Sequence, residues 1–170
     1  MTDGTTSYGK RMDRSKDLAD IFEMVKDGVR ARLGISRAGL MLGVADMGGG
    51  PGQFLGGLYP VTSNVIVLNR TATKAILSNK PELYKPYVFT VLLHEYLHTL
   101  GFLDEEQVRR MVHEICLGLF GAHHAATWLA EDIGRVMPFA TPRVAIPIRQ
   151  DAEVELVDGF DRSSFDRYIW

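Results

Sequence analysis

From Tyr87 to Leu100 the chain reads Tyr-Val-Phe-Thr-Val-Leu-Leu-His-Glu-Tyr-Leu-His-Thr-Leu, with Pro86 before the run and Gly101 after it. A proline near the first turn and a glycine past the last one bound a helix of about four turns. Val88, Phe89, Val91, Leu92, Leu93, Tyr96, Leu97 and Leu100 make it apolar on nearly every side, so it belongs in an interior. Its polar members Thr90, His94, Glu95 and His98 gather along one strip, because residues four apart sit one turn above each other. A buried carboxylate and two buried imidazoles without partners are costly. Something must compensate them.

A divalent metal does so. Two histidines at i and i+4 can aim ring nitrogens at one point ~2.0–2.1 Å from each, the distance zinc takes. Glu95 lies ~100° around the helix from His94, beside such an ion and able to hold a water against it. Taken singly, each of the three reads as a hydrogen-bonded core or cleft residue; the pattern His-Glu-x-x-His on a buried helix favours metal, with His94 and His98 as ligands, Glu95 as general base and one Zn2+ as cofactor. Catalytic zinc uses three protein ligands. Asp104 is the third expected here, although it also reads as the N-cap of a following helix with Gln107 as its reciprocal partner. His113 and Glu114 on that helix are alternatives, and the wheel turns both away from its apolar face of Val108, Val112, Ile115 and Leu119.

The stretch His94-Glu95-Tyr96-Leu97-His98-Thr99-Leu100-Gly101-Phe102-Leu103-Asp104 is HExxHxxGxxD. It resembles the metzincin clan of metallopeptidases in the version, found in snapalysin-like small bacterial proteases, that ends on Asp rather than His. The resemblance is specific over this motif and looser over residues 14–121. It implies that Gly101 turns the chain so that Asp104 reaches the ion, and that a methionine turn underlies the metal, for which Met137 is the candidate.

The other segments predict an α+β, zincin-like fold: a small mixed sheet packed on the active-site helix, followed by further helices. Residues 1–13 read as a flexible leader and 14–170 as a single domain with a proline-containing C-terminal segment from about 137. Lys16–Leu33 has the three- and four-residue apolar spacing of a helix stopped at Gly34. Gly39–Ala45, Phe54–Tyr59 and Asn64–Asn69 read as strands, the last two as a pair, and Val154–Val157 as a possible fourth. A helical or turn region is expected around Thr73–Ser78. Asp104-Glu-Glu-Gln107 opens a second helix ending at Gly121, and His124–Ile133 is a third. The cluster Asp46-Met-Gly-Gly-Gly-Pro-Gly52 lacks the Gly-Lys-Ser/Thr ending of a phosphate loop.

The reaction these residues suit is zinc-assisted hydrolysis of a peptide or protein substrate, an extended peptide aligning on Asn64–Asn69 if that strand is the sheet edge. Tyr59, Tyr87, His113 and His124 are candidate transition-state stabilisers. The alternatives are a metal hydrolase for a non-peptide substrate, akin to RNA-processing proteins with the motif HxxxHxxGxxH, and a non-catalytic metal- or partner-binding domain. Net charge is -2, and residues 81–140 hold four basic against eight acidic residues. No nucleic-acid or anionic-membrane surface is therefore expected. One cysteine, a polar N-terminus and no long apolar span suit a cytoplasmic protein. Oligomeric state is not legible.

Overall fold

The structure, a computed structural model, describes residues 6–161. Among these are seven α-helices and a four-stranded mixed sheet, so the α+β class holds. The chain runs α1 (Ser7–Arg14), α2 (Leu18–Leu33), β1 (Met41–Ala45), β2 (Gly57–Leu58), β3 (Val65–Asn69), α3 (Arg70–Asn79), α4 (Tyr84–Thr99), α5 (Glu105–Phe120), α6 (Ala125–Glu131), α7 (Met137–Ala140) and β4 (Glu155–Val157). None of the described helices is long and apolar enough to cross a membrane.

Where a flexible leader was expected, residues 7–14 are helical. The Thr6 hydroxyl caps α1 by accepting from the Gly9 amide at 3.1 Å, and Met12 is buried. With so little apolar surface, α1 leaves no periodic signal. Residues 1–5 and 162–170 lie outside the described part.

Strand order is β2-β3-β1-β4. β1 and β3 are parallel with Val44 opposite Leu68, while β2 on β3 and β4 on β1 are antiparallel. The segment expected to offer a free edge, Asn64–Asn69, is thus an inner strand, with β2 covering it at Val67 and Leu68, and the edge strand toward α4 is β2.

Between β1 and β2 the glycine-rich loop is pinned by Asn69, which is fully buried. Its side-chain oxygen accepts from the Met47 amide at 3.0 Å and caps α3 through the Thr71 amide at 3.1 Å; its Nδ2 donates to Gly48 O at 2.9 Å and Leu55 O at 2.7 Å. Gly48 has φ +85°, and a Cβ there would meet the Pro147 carbonyl at 2.2 Å. These glycines serve close backbone packing.

Helix α4 is enclosed by α2, α5, α6 and the sheet. Tyr87, Val88, Phe89, Leu92, Leu93, Tyr96 and Leu97 are inaccessible to solvent, as the unbroken apolar character requires. It begins at Tyr84, earlier than the sequence suggests, because a 3-10 turn at Pro81–Leu83 feeds directly into it. The C-terminal segment closes the far side: Phe160 stacks on Phe22 at 4.1 Å, and Asp161 pairs with buried Lys26 while accepting from the Leu40 amide at 3.2 Å.

Candidate metal centre

His94 and His98 lie on the outermost face of α4, where the helix meets the first turn of α5. Their Nε2 atoms are 3.1 Å apart. Glu105, the first residue of α5, sends one carboxylate oxygen to each: Oε2 to His94 Nε2 at 3.0 Å and Oε1 to His98 Nε2 at 2.9 Å. One ligand atom from each residue falls within a group spanning 4.8 Å.

The tautomer of His98 follows from its other nitrogen. Nδ1 is 2.7 Å from the Phe102 carbonyl, which only accepts, so Nδ1 carries the hydrogen and Nε2 of the neutral ring presents a lone pair. The backbone makes this bond possible. Gly101 takes φ +102°, the Phe102 amide turns back to Leu97 O at 3.3 Å, and the Phe102 carbonyl comes to rest against the ring. A lone pair 2.9 Å from a carboxylate oxygen and 3.1 Å from a second imidazole nitrogen is stable only around a positive centre, a proton or a metal ion. Ligands of tetrahedral zinc stand ~3.3 Å apart. The contacts of 2.9, 3.0 and 3.1 Å run through both oxygens of the carboxylate, and one ligand atom from each residue lies within 4.8 Å of the others, so a local rearrangement brings three donors to that spacing. Two imidazoles and a carboxylate are also the donor set zinc takes in hydrolases.

Electrostatics support the same use. Burial holds the His94 imidazole below its ordinary pKa, outweighing the Glu105 carboxylate that pulls the other way. His94 is therefore neutral at pH 7, and its contact with Glu105 is a hydrogen bond rather than an ion pair. Glu95, buried beside them, is pushed up to about 8, first by desolvation and then by the Glu105 charge. A carboxyl poised near neutral pH suits proton transfer. A cation at the histidines would draw it back down.

Asp104 does not enter this group. Its Oδ1 accepts from the Gln107 amide at 2.7 Å, the N-cap role that competed with ligation in the sequence. Glu105, one residue on, is the carboxylate that reaches the histidines. A signal for it existed: Glu105 precedes Val108 and Val112 by three and seven residues, which sets an acid at the end of the α5 apolar stripe.

His94 and Glu105 line a cleft of about 820 Å³, walled also by Phe54–Gly57 before and within β2, by Thr90, Val91 and Glu95 of α4, by Arg109 and His113 of α5, and by Leu129 and Ile133 beyond. His113 and Glu114 line it as rim residues, outside the ligand group. Of the four candidate transition-state stabilisers, His113 alone lines this cleft. Tyr59 bonds Ser63 O and Arg37, His124 caps α6 through the Ala126 amide, and the Tyr87 hydroxyl is buried. Helix α7, which begins with Met137, packs on α3.

Searches of protein-family models, of curated proteins and of solved structures find no match to this chain.

Proposed function

We propose that the chain is a zinc-dependent hydrolase of peptide bonds, of the broad zincin kind, with His94, His98 and Glu105 as ligands and Glu95 as general base. The observation that carries this reading is the convergence of His94, His98 and Glu105, with the His98 ring locked in its tautomer by a backbone carbonyl, beside a cleft that also holds a buried carboxyl. With Glu105 rather than Asp104 in the group, the support is for a zinc hydrolase in general; the narrower metzincin reading requires Asp104.

A zinc ion held there supplies a Lewis acid for an amide carbonyl and makes water acidic enough to ionise near pH ~7. Glu95 takes the proton from the attacking water on a carboxylate oxygen and delivers it to the departing amine nitrogen. Burial raises this carboxyl and a cation at the histidines would lower it, so beside the ion Glu95 would be the carboxylate that accepts the proton. Phe54, Leu129 and Ile133 restrict bulk water, and the edge strand β2 offers backbone groups to an extended substrate.

The test has two parts. Purified protein should hold one zinc per chain and His94→Ala should hold none; a stoichiometric ion in the variant defeats the site. Zinc-loaded protein should cleave members of a peptide library while Glu95→Ala does not, and equal turnover by both would dismiss the general base.

A further inference from the structure

The cleft is lined by two cations, and they are not equivalent. Arg110 is engaged by Glu106 at 3.6 Å. Arg109 has no ion pair within 4 Å among the described residues, although Glu105 sits one turn before it at the i−4 position where a helix would normally supply one. The Glu105 carboxylate is instead turned onto the two histidines. Arg109 is exposed, lines the cleft, and lies near enough for its charge to act on His94.

Acidic groups lining the cleft near its far wall are committed elsewhere: Glu131 pairs with Arg135 at 3.3 Å, and Asp132 accepts from the Gly134 amide at 2.9 Å. Glu95, Glu105 and Glu114 also line the cleft, and the guanidinium of Arg109 is left able to receive an anionic oxygen pair. Its planar fork matches a carboxylate.

Resting on the hydrolase reading above, we infer that Arg109 selects the substrate, binding a carboxylate close to the scissile bond. Arg109 stands four residues, ~6 Å, along α5 from Glu105, and an extended peptide advances ~3.3–3.6 Å per residue. The carboxylate therefore falls within about two residues of the bond cut. It is either an acidic side chain or the free C-terminus of the substrate; the chemistry is the same and the experiment separates them.

Matched fluorescent peptides carrying Glu, Gln or Lys beside one common cleavable bond, each with a free or an amidated C-terminus, are titrated into zinc-loaded protein. Anisotropy reads binding with Glu95→Gln, and mass spectrometry reads cleavage with Glu95 intact. The arginine is kept or replaced, Arg109→Gln and Arg109→Glu, in both backgrounds. At an exposed position both replacements keep the fold, which circular dichroism checks.

With Arg109 present, a carboxylate-bearing peptide binds about tenfold tighter than its neutral counterpart, the worth of one charge-assisted hydrogen bond. Arg109→Gln abolishes that preference, and Arg109→Glu turns it toward Lys. Dependence on the Glu side chain identifies an internal acidic residue, and dependence on C-terminal amidation identifies a carboxypeptidase-like preference. Unchanged preference in Arg109→Glu, or no tighter binding of any carboxylate peptide, overturns the inference. Charge-selective binding without cleavage sinks the hydrolase reading and leaves Arg109 as the anion receptor; cleavage without charge selection does the reverse.

Discussion

Exchanging the adjacent acids Asp104 and Glu105 one at a time separates a helix cap from a metal ligand. Asp104→Ala removes the acceptor of the Gln107 amide, a capping loss of ~1 kcal/mol. For a chain of 170 residues that lowers Tm by ~2–4 °C, with or without zinc. Glu105→Ala removes a first-turn acid worth only ~0.3–1 kcal/mol to the metal-free helix. Its larger effect appears on loading. Zinc at a hundredfold excess over Kd stabilises a folded site by ~2.7 kcal/mol, or ~5–11 °C at this chain length. Scanning calorimetry of chelator-stripped protein, with and without added zinc, should therefore show the full zinc-induced rise in Asp104→Ala from a lower start. In Glu105→Ala the rise should collapse. The opposite pattern, with Asp104→Ala losing the zinc response and Glu105→Ala keeping it, would refute the geometry described here.

Three further outcomes follow from buried groups. In the metal-free chain Glu95 keeps its proton up to about 8 when folded, against an ordinary value of 4.5, so the unfolded chain releases that proton first and stability falls as pH rises between the two. Denaturant titrations should show wild type losing up to ~5 kcal/mol relative to Glu95→Gln across that window, and parallel curves would contradict the burial. The Tyr87 hydroxyl is buried with no hydrogen-bond partner among the described residues, so Tyr87→Phe should be neutral or stabilising by ~1 kcal/mol, and a loss of that size in Tm measurements would mean that the hydroxyl is bonded after all. Lys26→Ala leaves Asp161 in the interior without its ammonium and should cost ~3–5 kcal/mol in chemical unfolding; a change under ~1 kcal/mol would show the pair to be solvated.

What the sequence reveals about this fold is what is local. The unbroken apolar run of α4, the glycine stop at Gly34 with φ +70°, and the cap ahead of α5 each depend on neighbours a few residues away, and each lies where its spacing indicated. The histidine pair shared that advantage, since the i and i+4 relation is fixed by the helix itself. Strand order was not legible, because the position of β3 between β2 and β1 depends on pairing across long separations that alternation does not encode. Phe54–Tyr59 shrank to Gly57–Leu58 for a related reason: the glycines that read as an apolar run supply no side chains to hold a ladder. At the site, Asp104 and Glu105 carry the same chemistry one residue apart. Only the path of the chain after Gly101 decides which of them caps and which reaches the imidazoles.

The Phe102 carbonyl that holds His98 belongs to the main chain. No replacement of the side chain at 102 can delete it, and the ring's protonation pattern is inherited from the course of the polypeptide rather than from a mutable neighbour. Evolutionary drift at that position would alter bulk and polarity around the ring while leaving the hydrogen on Nδ1 and the lone pair on Nε2 untouched.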